Sequence, residues 1–215
     1  MSWKKGMFHM AILVTGGAGY IGSHTCIQLI NSGYEVVVAD NLYNSKIEVI
    51  YRMEKITGKK LKFYHVDVCN RSTLQKIFQQ ENIDAVIHFA AYKAVGESVS
   101  KPLEYYSNNL ISTITLLETM EEFKIKNFVF SSSATVYGDP ESVPIREDFP
   151  TTATNPYGRT KLMIEHILMD YSNAHVDMNI AILRYFNPIG AHKSGMIGED
   201  PNDIPNNLVP YITQV

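Results

Sequence analysis

Thr15–Gly22 reads TGGAGYIG. It follows an apolar, β-branched run, Ala11–Thr15, and opens a stretch of helical spacing, Tyr20–Ser32. Gly16, Gly19 and Gly22 recur every third residue, and Gly17–Gly22 also satisfies G-x-G-x-x-G. In a strand–turn–helix setting such glycines allow a sharp turn, let the backbone approach a pyrophosphate, and let helix and strand pack closely. The helix then meets the anion with free N–H groups and the positive end of its dipole. The stretch predicts the first βα unit of a dinucleotide-binding domain. Asp40 lies 18 residues past Gly22 and ends a second run, Glu35–Asp40. A carboxylate there can accept both hydroxyls of an adenosine ribose and repels a 2′-phosphate, which favours NAD over NADP. Asp67 and Val68, closing a third run, sit where the adenine would lie. Lys46 and Arg52 read as cations of a solvated helix face.

Working outward, further strand-like runs are Leu61–Asp67, Asp84–Phe89, Asn127–Ser132 and Asn179–Arg184. All six are apolar on both faces, as strands buried between two helical layers are. Helical spacing fills the intervals: Lys46–Thr57, Arg71–Gln80, Pro102–Phe123 and Pro156–Asn173. Asn70 or Ser72 can open the third helix, and Asn155-Pro156 reads as an N-cap followed by Pro at the first helical position. The alternation predicts an α/β fold, a doubly wound parallel sheet of Rossmann type with right-handed crossovers. From Pro188 onward Gly, Pro, Asn and Asp dominate without a period. The expected organisation is an extension over 1–9, a nucleotide-binding domain over 10–187, and over 188–215 the beginning of a smaller substrate domain. The end lies in what reads as a helix start, Asn207–Val215, so the polypeptide is expected to continue.

Two further stretches carry chemistry. Tyr157 and Lys161 form Tyr-x-x-x-Lys behind the Asn155-Pro156 cap, on one helix face and one turn apart. A phenol with a pKa near 10 is a poor base at neutral pH. An ammonium one turn away and the helix N-terminus both favour the phenolate, so Tyr157 is expected to exchange a proton with a substrate hydroxyl. Ser131–Gly138 reads SSSATVYG and follows the fifth strand run. Ligands bind at such strand ends, where the Ser133 hydroxyl can reach the same substrate oxygen as Tyr157.

TGGAGYIG, SSSATVYG and Tyr157-x-x-x-Lys161, in that order, resemble the extended short-chain dehydrogenase/reductase family. Asp40-Asn41 with Asn44-Ser45, HFAAYKAVGES at 88–98, KPLEYYSNN at 101–109, RYFNPIG at 184–190, GEDP at 198–201 and IPNN at 204–207 narrow the likeness. They point to the branch that epimerises UDP-sugars at C4, from about Met10 to the last residue. The resemblance implies interconversion of UDP-glucose and UDP-galactose, an isomerase activity of galactose metabolism. Hydride leaves the sugar C4 for NAD and returns to the opposite face of a 4-keto sugar. Tyr157 would take and return the O4 proton, Ser133 would hydrogen-bond O4, and Lys161 would lower the Tyr157 pKa and hold the nicotinamide ribose. Tyr20, Ile21, Asp40, Asn41, Leu42, Tyr43, Asn44, Ser45, Asp67, Val68, Phe89, Ala90, Ala91, Tyr92, Lys93, Asn108 and Phe186 would line the NAD site. Asn187 and Asn207 would contact the UDP-sugar. Ala91 stands where the family often has Gly. Arg159-Thr160 replace a commoner Lys-Ser and are expected to face away from the site. The family's later phosphate-clamping arginines have no counterpart in these residues.

Related nucleotide-sugar dehydratases resemble this chain but carry Asp-Glu directly after the catalytic hydroxyl. Ala134 and Thr135 occupy those positions and cannot eliminate water by acid–base work. A decarboxylase on the same fold, or a module that binds NAD without turnover, is the remaining alternative. The 215 residues are 45% hydrophobic and 19% charged with a net charge of −3, which argues against nucleic acid or an anionic membrane as partner. Lone Cys26 and Cys69 fit a reducing compartment, no run approaches about 18 apolar residues, and no signal peptide is read, so a cytoplasmic protein is expected. The histidines lack metal-ligand spacing, and His88 reads as a satisfied core residue. The helical runs from Pro102 and Pro156 could pair with a second copy, and the resemblance implies a homodimer.

Overall fold

The computed structural model describes residues 11–202 and 207–213. The predicted extension over 1–9 and positions 204–206 of the IPNN motif lie outside the described residues. Among the described residues six strands form one parallel sheet: β1 (Ala11–Thr15), β2 (Glu35–Asp40), β3 (Lys62–His65), β4 (Ile83–His88), β5 (Asn127–Ser133) and β6 (Asn179–Tyr185). Their order is β3-β2-β1-β4-β5-β6, so the chain reverses direction of travel across the sheet between β1 and β4. In such sheets the crevice at the reversal is the ligand position.

The helices are α1 (Tyr20–Asn31), α2 (Glu48–Thr57), α3 (Arg71–Gln80), α4 (Val95–Ser100), α5 (Pro102–Glu122), α6 (Pro156–Ala174) and α7 (Leu208–Thr213), with a 3-10 turn over Ala134–Tyr137. One core gathers Leu74 and Ile77 of α3, Leu116 and Met120 of α5 and Ile164 and Leu168 of α6 on Leu13, Val86, Phe128 and Phe130. The other places Cys26, Ile27, Ile50 and Met53 of α1 and α2 on Val14 and Val38. Successive side chains of one strand thus feed opposite layers, which is why β1 and β2 read as continuous apolar runs. Asn70 caps α3 by accepting from the Thr73 N–H, and Asn155 caps α6 by accepting from Gly158 N–H at 2.8 Å with Pro156 in the first turn.

Three expectations need correction. β3 and β6 are not buried on both faces: β3 has exposed ends, and Asn179, Ala181 and Leu183 of β6 are exposed. Both are edge strands, covered by neighbours on one side only. Helix α2 starts at Glu48, leaving Lys46 in the preceding turn. The short α4 and the 3-10 turn, too brief to show a period, were not expected.

After β6 the chain crosses back to the far half of the sheet. Ile197 is buried in the α1/α2 core, Arg52 donates to the Met196 carbonyl at 3.1 Å, and Lys46 pairs with Asp200 at 2.8 Å. Lys46 and Arg52 are both solvent-exposed, as expected, and from that face they also contact this returning segment.

Candidate active site

The glycine turn joins β1 to α1 at the crevice. Gly16 has φ +69°, and a Cβ there would lie 2.6 Å from the Ala90 nitrogen in the loop after β4. A Cβ on Gly22 would lie 2.3 Å from the Gly16 carbonyl oxygen. Only glycine permits this close approach of β1, α1 and the β4 loop. The Gly19 N–H donates to the Gly16 carbonyl, and no side chain caps α1. With no side-chain cap, the N-terminal turn of α1 presents the positive end of its dipole, which suits an anion such as a phosphate. Tyr20 donates to the Gly190 carbonyl at 2.6 Å, and Ile21 is half-buried beside it.

Asp40, 8% exposed, ends β2. Its Oδ2 accepts from the Ala18 N–H at 3.0 Å, and its Oδ1 accepts from the Leu42 N–H at 2.8 Å and Ser45 Oγ at 3.1 Å. The carboxylate thus ties the glycine turn to the loop after β2. In that loop Asn41 accepts from the Tyr43 N–H, Leu42 sits at φ +57°, and Asn44 accepts from the Asn202 N–H. The Tyr43 ring lies 4.7 Å from that of Tyr92, bringing the β2 and β4 loops together. Val68 is buried, whereas Asp67 is exposed and accepts from the Cys69 N–H.

The loop after β4, Phe89 to Lys93, is held by a residue that sequence reasoning missed. Asn109, 1% exposed, accepts from the Tyr92 N–H at 2.8 Å and donates to the Tyr92 carbonyl at 3.1 Å and to Thr160 Oγ1 at 3.0 Å. Asn108 donates to Asn109 Oδ1. Ala90 and Ala91 are half-buried between these contacts and the glycine turn. Thr160 is fully buried and donates to the Tyr157 carbonyl at 2.7 Å, so the expectation that it faces away is wrong; Arg159 does face outward. The signal for Asn109 was its place in KPLEYYSNN, but only the fold shows which asparagine turns inward. His88 is a satisfied core residue, bonded to Thr15 Oγ1 at 2.7 Å and Thr113 Oγ1 at 3.2 Å, and burial pushes it down to about 3.

Ser133 is the last residue of β5 and caps the 3-10 turn. Its Oγ accepts from the Thr135 N–H at 3.2 Å and from Thr135 Oγ1 at 3.0 Å. With both lone pairs engaged, the Ser133 hydroxyl is left to donate, and Tyr157 is its partner. Thr135, read earlier only as unfit for acid–base work, therefore orients Ser133. Gly158 brings α6 against this turn: a Cβ there would lie 3.0 Å from the Thr135 carbonyl oxygen and 3.2 Å from the Ala153 Cβ.

Tyr157 and Lys161 occupy the first turns of α6. Lys161, 4% exposed, donates to the Ser131 carbonyl at 2.7 Å and lies 4.8 Å from the Phe130 ring centre and 5.9 Å from that of Tyr157. Burial pushes its ammonium down to about 7, against the opposing pull of Glu165. Burial likewise holds the Tyr157 phenol above its ordinary value; the Ser133 hydrogen bond lowers it. The expected lowering of Tyr157 by Lys161 is thus not seen, because desolvation of the phenol outweighs other influences and the ammonium is directed at a backbone carbonyl.

Phe186 and Asn187 follow β6 directly, where Tyr185 lies opposite Ser133, and both are exposed at the crevice edge. Lys93 pairs with Glu199 at 3.4 Å, and Asn207 donates to the same carboxylate oxygen at 2.6 Å. The returning segment thus brings Asn207 to Lys93, 114 positions earlier in the chain.

A 3-2-1-4-5-6 parallel sheet with a glycine turn and a Ser/Tyr/Lys cluster at its carboxyl edge defines a dinucleotide-dependent protein of short-chain dehydrogenase type. The chain belongs to the NAD dependent epimerase/dehydratase family, whose model matches residues 12–214. It is 63% identical over 206 residues to a UDP-glucose 4-epimerase of Bacillus subtilis, covering 96% of this chain and 61% of the relative. It is 62% identical over 203 residues to that of Dictyostelium discoideum, covering 94% and 59%. Among solved structures, a UDP-glucose 4-epimerase from Bifidobacterium longum in complex with NAD+ and UDP superimposes with a TM-score of 0.93 at 53% identity, over 95% of this chain and 62% of that one. The chain spans about three-fifths of the length of the curated relatives it matches.

Proposed function

We propose that the protein acts in the NAD-dependent 4-epimerisation of a UDP-sugar, interconverting UDP-glucose and UDP-galactose. The carrying observation is that Tyr157 meets Ser133 at the carboxyl end of β5 and Lys161 is held on the neighbouring Ser131 carbonyl, with Ala134 and Thr135 where a dehydratase would hold carboxylates. NAD, when bound, supplies a hydride acceptor that returns the same hydride. Gly16, Gly19, Gly22, Tyr20 and Ile21 would hold its pyrophosphate, and Asp40 with Asn41 to Ser45 its adenosine ribose. Asp67 and Val68 would flank the adenine, while Phe89 to Lys93, Asn108 and Phe186 would flank the nicotinamide half.

In this reading Ser133 donates to the sugar O4, and Tyr157 takes the O4 proton as hydride leaves C4, then returns it. Lys161, poised near neutrality, holds positive charge against the phenolate as it forms. Asn187 and Asn207 position the UDP-sugar. The nucleotide-binding domain ends near Asn187, and residues 188 onward begin the part that meets substrate. Exposed Leu103, Ile111 and Ile114 of α5 with Met163 and Met169 of α6 support pairing with a second copy. Among the described residues no helix is long and apolar enough to cross a membrane, which is compatible with a cytoplasmic site of action.

Incubating the protein with NAD and UDP-galactose tests the reading: UDP-glucose should form, with neither net NADH nor a 4-keto-6-deoxy sugar released. Release of the deoxy sugar would move the reading to dehydration. Binding of NAD with no turnover would leave a cofactor-binding module.

A further inference from the structure

Behind the reacting side chains lies a buried ion pair. Glu165, 1% exposed, follows Lys161 by four residues and Tyr157 by eight, on the same face of α6. Its Oε2 accepts from Arg184 Nη2 at 2.7 Å and its Oε1 from Arg184 Nε at 3.0 Å and from the Ser132 hydroxyl. Arg184 of β6 also donates to Tyr137 Oη at 2.8 Å and to the Glu147 carbonyl, and its guanidinium lies 4.8 Å from the Tyr137 ring centre. One carboxylate thus joins α6, the end of β5, β6 and the 3-10 turn. Ser132 sits between Ser131, whose carbonyl holds Lys161, and Ser133, which meets Tyr157.

We propose that Glu165 is a positioning residue: its carboxylate locks the end of β5 against α6 and supplies the negative field beneath the Lys161 ammonium. This rests on the proton-transfer role given to Tyr157 and Lys161. Few charges compete at Lys161. On α6 they are Tyr157 and Glu165, on β4 neutral His88, and on β6 Arg184, already spent on Glu165. The 3-10 turn adds Tyr137, bonded to Arg184, and α5 presents only uncharged Asn109 and Thr113. Glu97 of α4 is occupied by Tyr105 and Lys101. A carboxylate at this position also opposes the burial that pulls Lys161 down.

The test is NMR titration of 13Cε-lysine-labelled protein without substrate, with Lys161 assigned from the spectrum of Lys161→Arg and His88 followed alongside. Glu165→Gln should lower the Lys161 midpoint, because a neighbouring negative charge that favours the ammonium is lost. Arg184→Met should raise it, and Glu165→Asp should leave it near wild type. A merely structural role predicts that Gln and Met variants both raise it, because loosening the core returns lysine toward its ordinary value. That result, or no movement in either, would overturn the proposal. If Glu165→Gln does not fold, Arg184→Met decides alone. Lys161 rising while His88 stays depressed supports the proposal; both rising together, or Lys161 unmoved or lowered, overturns it. The titration needs no turnover, so it can succeed even where UDP-galactose conversion fails.

Discussion

Replacing Asn109 with leucine removes the amide at nearly constant volume and probes the support of the cofactor loop. The side chain is 1% exposed and makes hydrogen bonds at 2.8, 3.1 and 3.0 Å to the Tyr92 N–H, the Tyr92 carbonyl and Thr160 Oγ1. Leaving buried partners without a bond costs about 1–3 kcal/mol each. Tyr92 is only half-buried, so water can reach part of its backbone. The net loss is then about 3–5 kcal/mol for these three bonds and the one that Oδ1 accepts from half-buried Asn108, rather than the full sum. For a domain of this size that is a fall in Tm of roughly 10 °C. Circular dichroism melts of Asn109→Leu beside the exposed control Ser107→Ala measure it, the control moving by less than about 0.5 kcal/mol. NAD affinity should fall as well, since the Tyr92 loop loses its anchor to α5 and α6. A melt within about 2 °C of wild type, with NAD binding intact, would refute the reasoning.

Gly158→Ala places a methyl 3.0 Å from a backbone oxygen that cannot rotate away. The overpacking, about 1–3 kcal/mol, outweighs the helix-propensity gain of about 1 kcal/mol, so urea midpoints should drop modestly while turnover falls at least tenfold as Tyr157 shifts from Ser133. Thr135→Val removes one of the two bonds that fix the Ser133 hydroxyl at 3.0 Å. Steady-state kinetics should show kcat reduced about tenfold with the KM for UDP-galactose little changed. His88 stays neutral in the fold down to about 3, whereas an unfolded imidazole gains its proton near pH 6.5. Between those values the unfolded chain binds the extra proton, so stability falls as pH drops through that window and is fully present above it. Urea titrations at several pH values should show this acid-limb loss in wild type and a flatter limb in His88→Asn.

The local chemistry was legible in the sequence. TGGAGYIG specifies its own turn because the need for glycine is a backbone property. The Asn155-Pro156 cap and the one-turn spacing of Tyr157 and Lys161 depend only on helix geometry. The apolar runs of β1 and β2 declare two-sided burial. What could not be read there depends on partners distant in the chain. The returning segment is irregular in sequence, yet Ile197 buries itself between α1 and α2 and Glu199 draws Asn207 to Lys93. The inward turn of Asn109 and Thr160, and the clamp of Glu165 by Arg184, arise where β5, β6, α5 and α6 converge. The ionisation of Tyr157 and Lys161 is the clearest case. Spacing alone predicts that the lysine acidifies the phenol, but burial pushes the phenol up and the ammonium down, and only tertiary structure sets that desolvation.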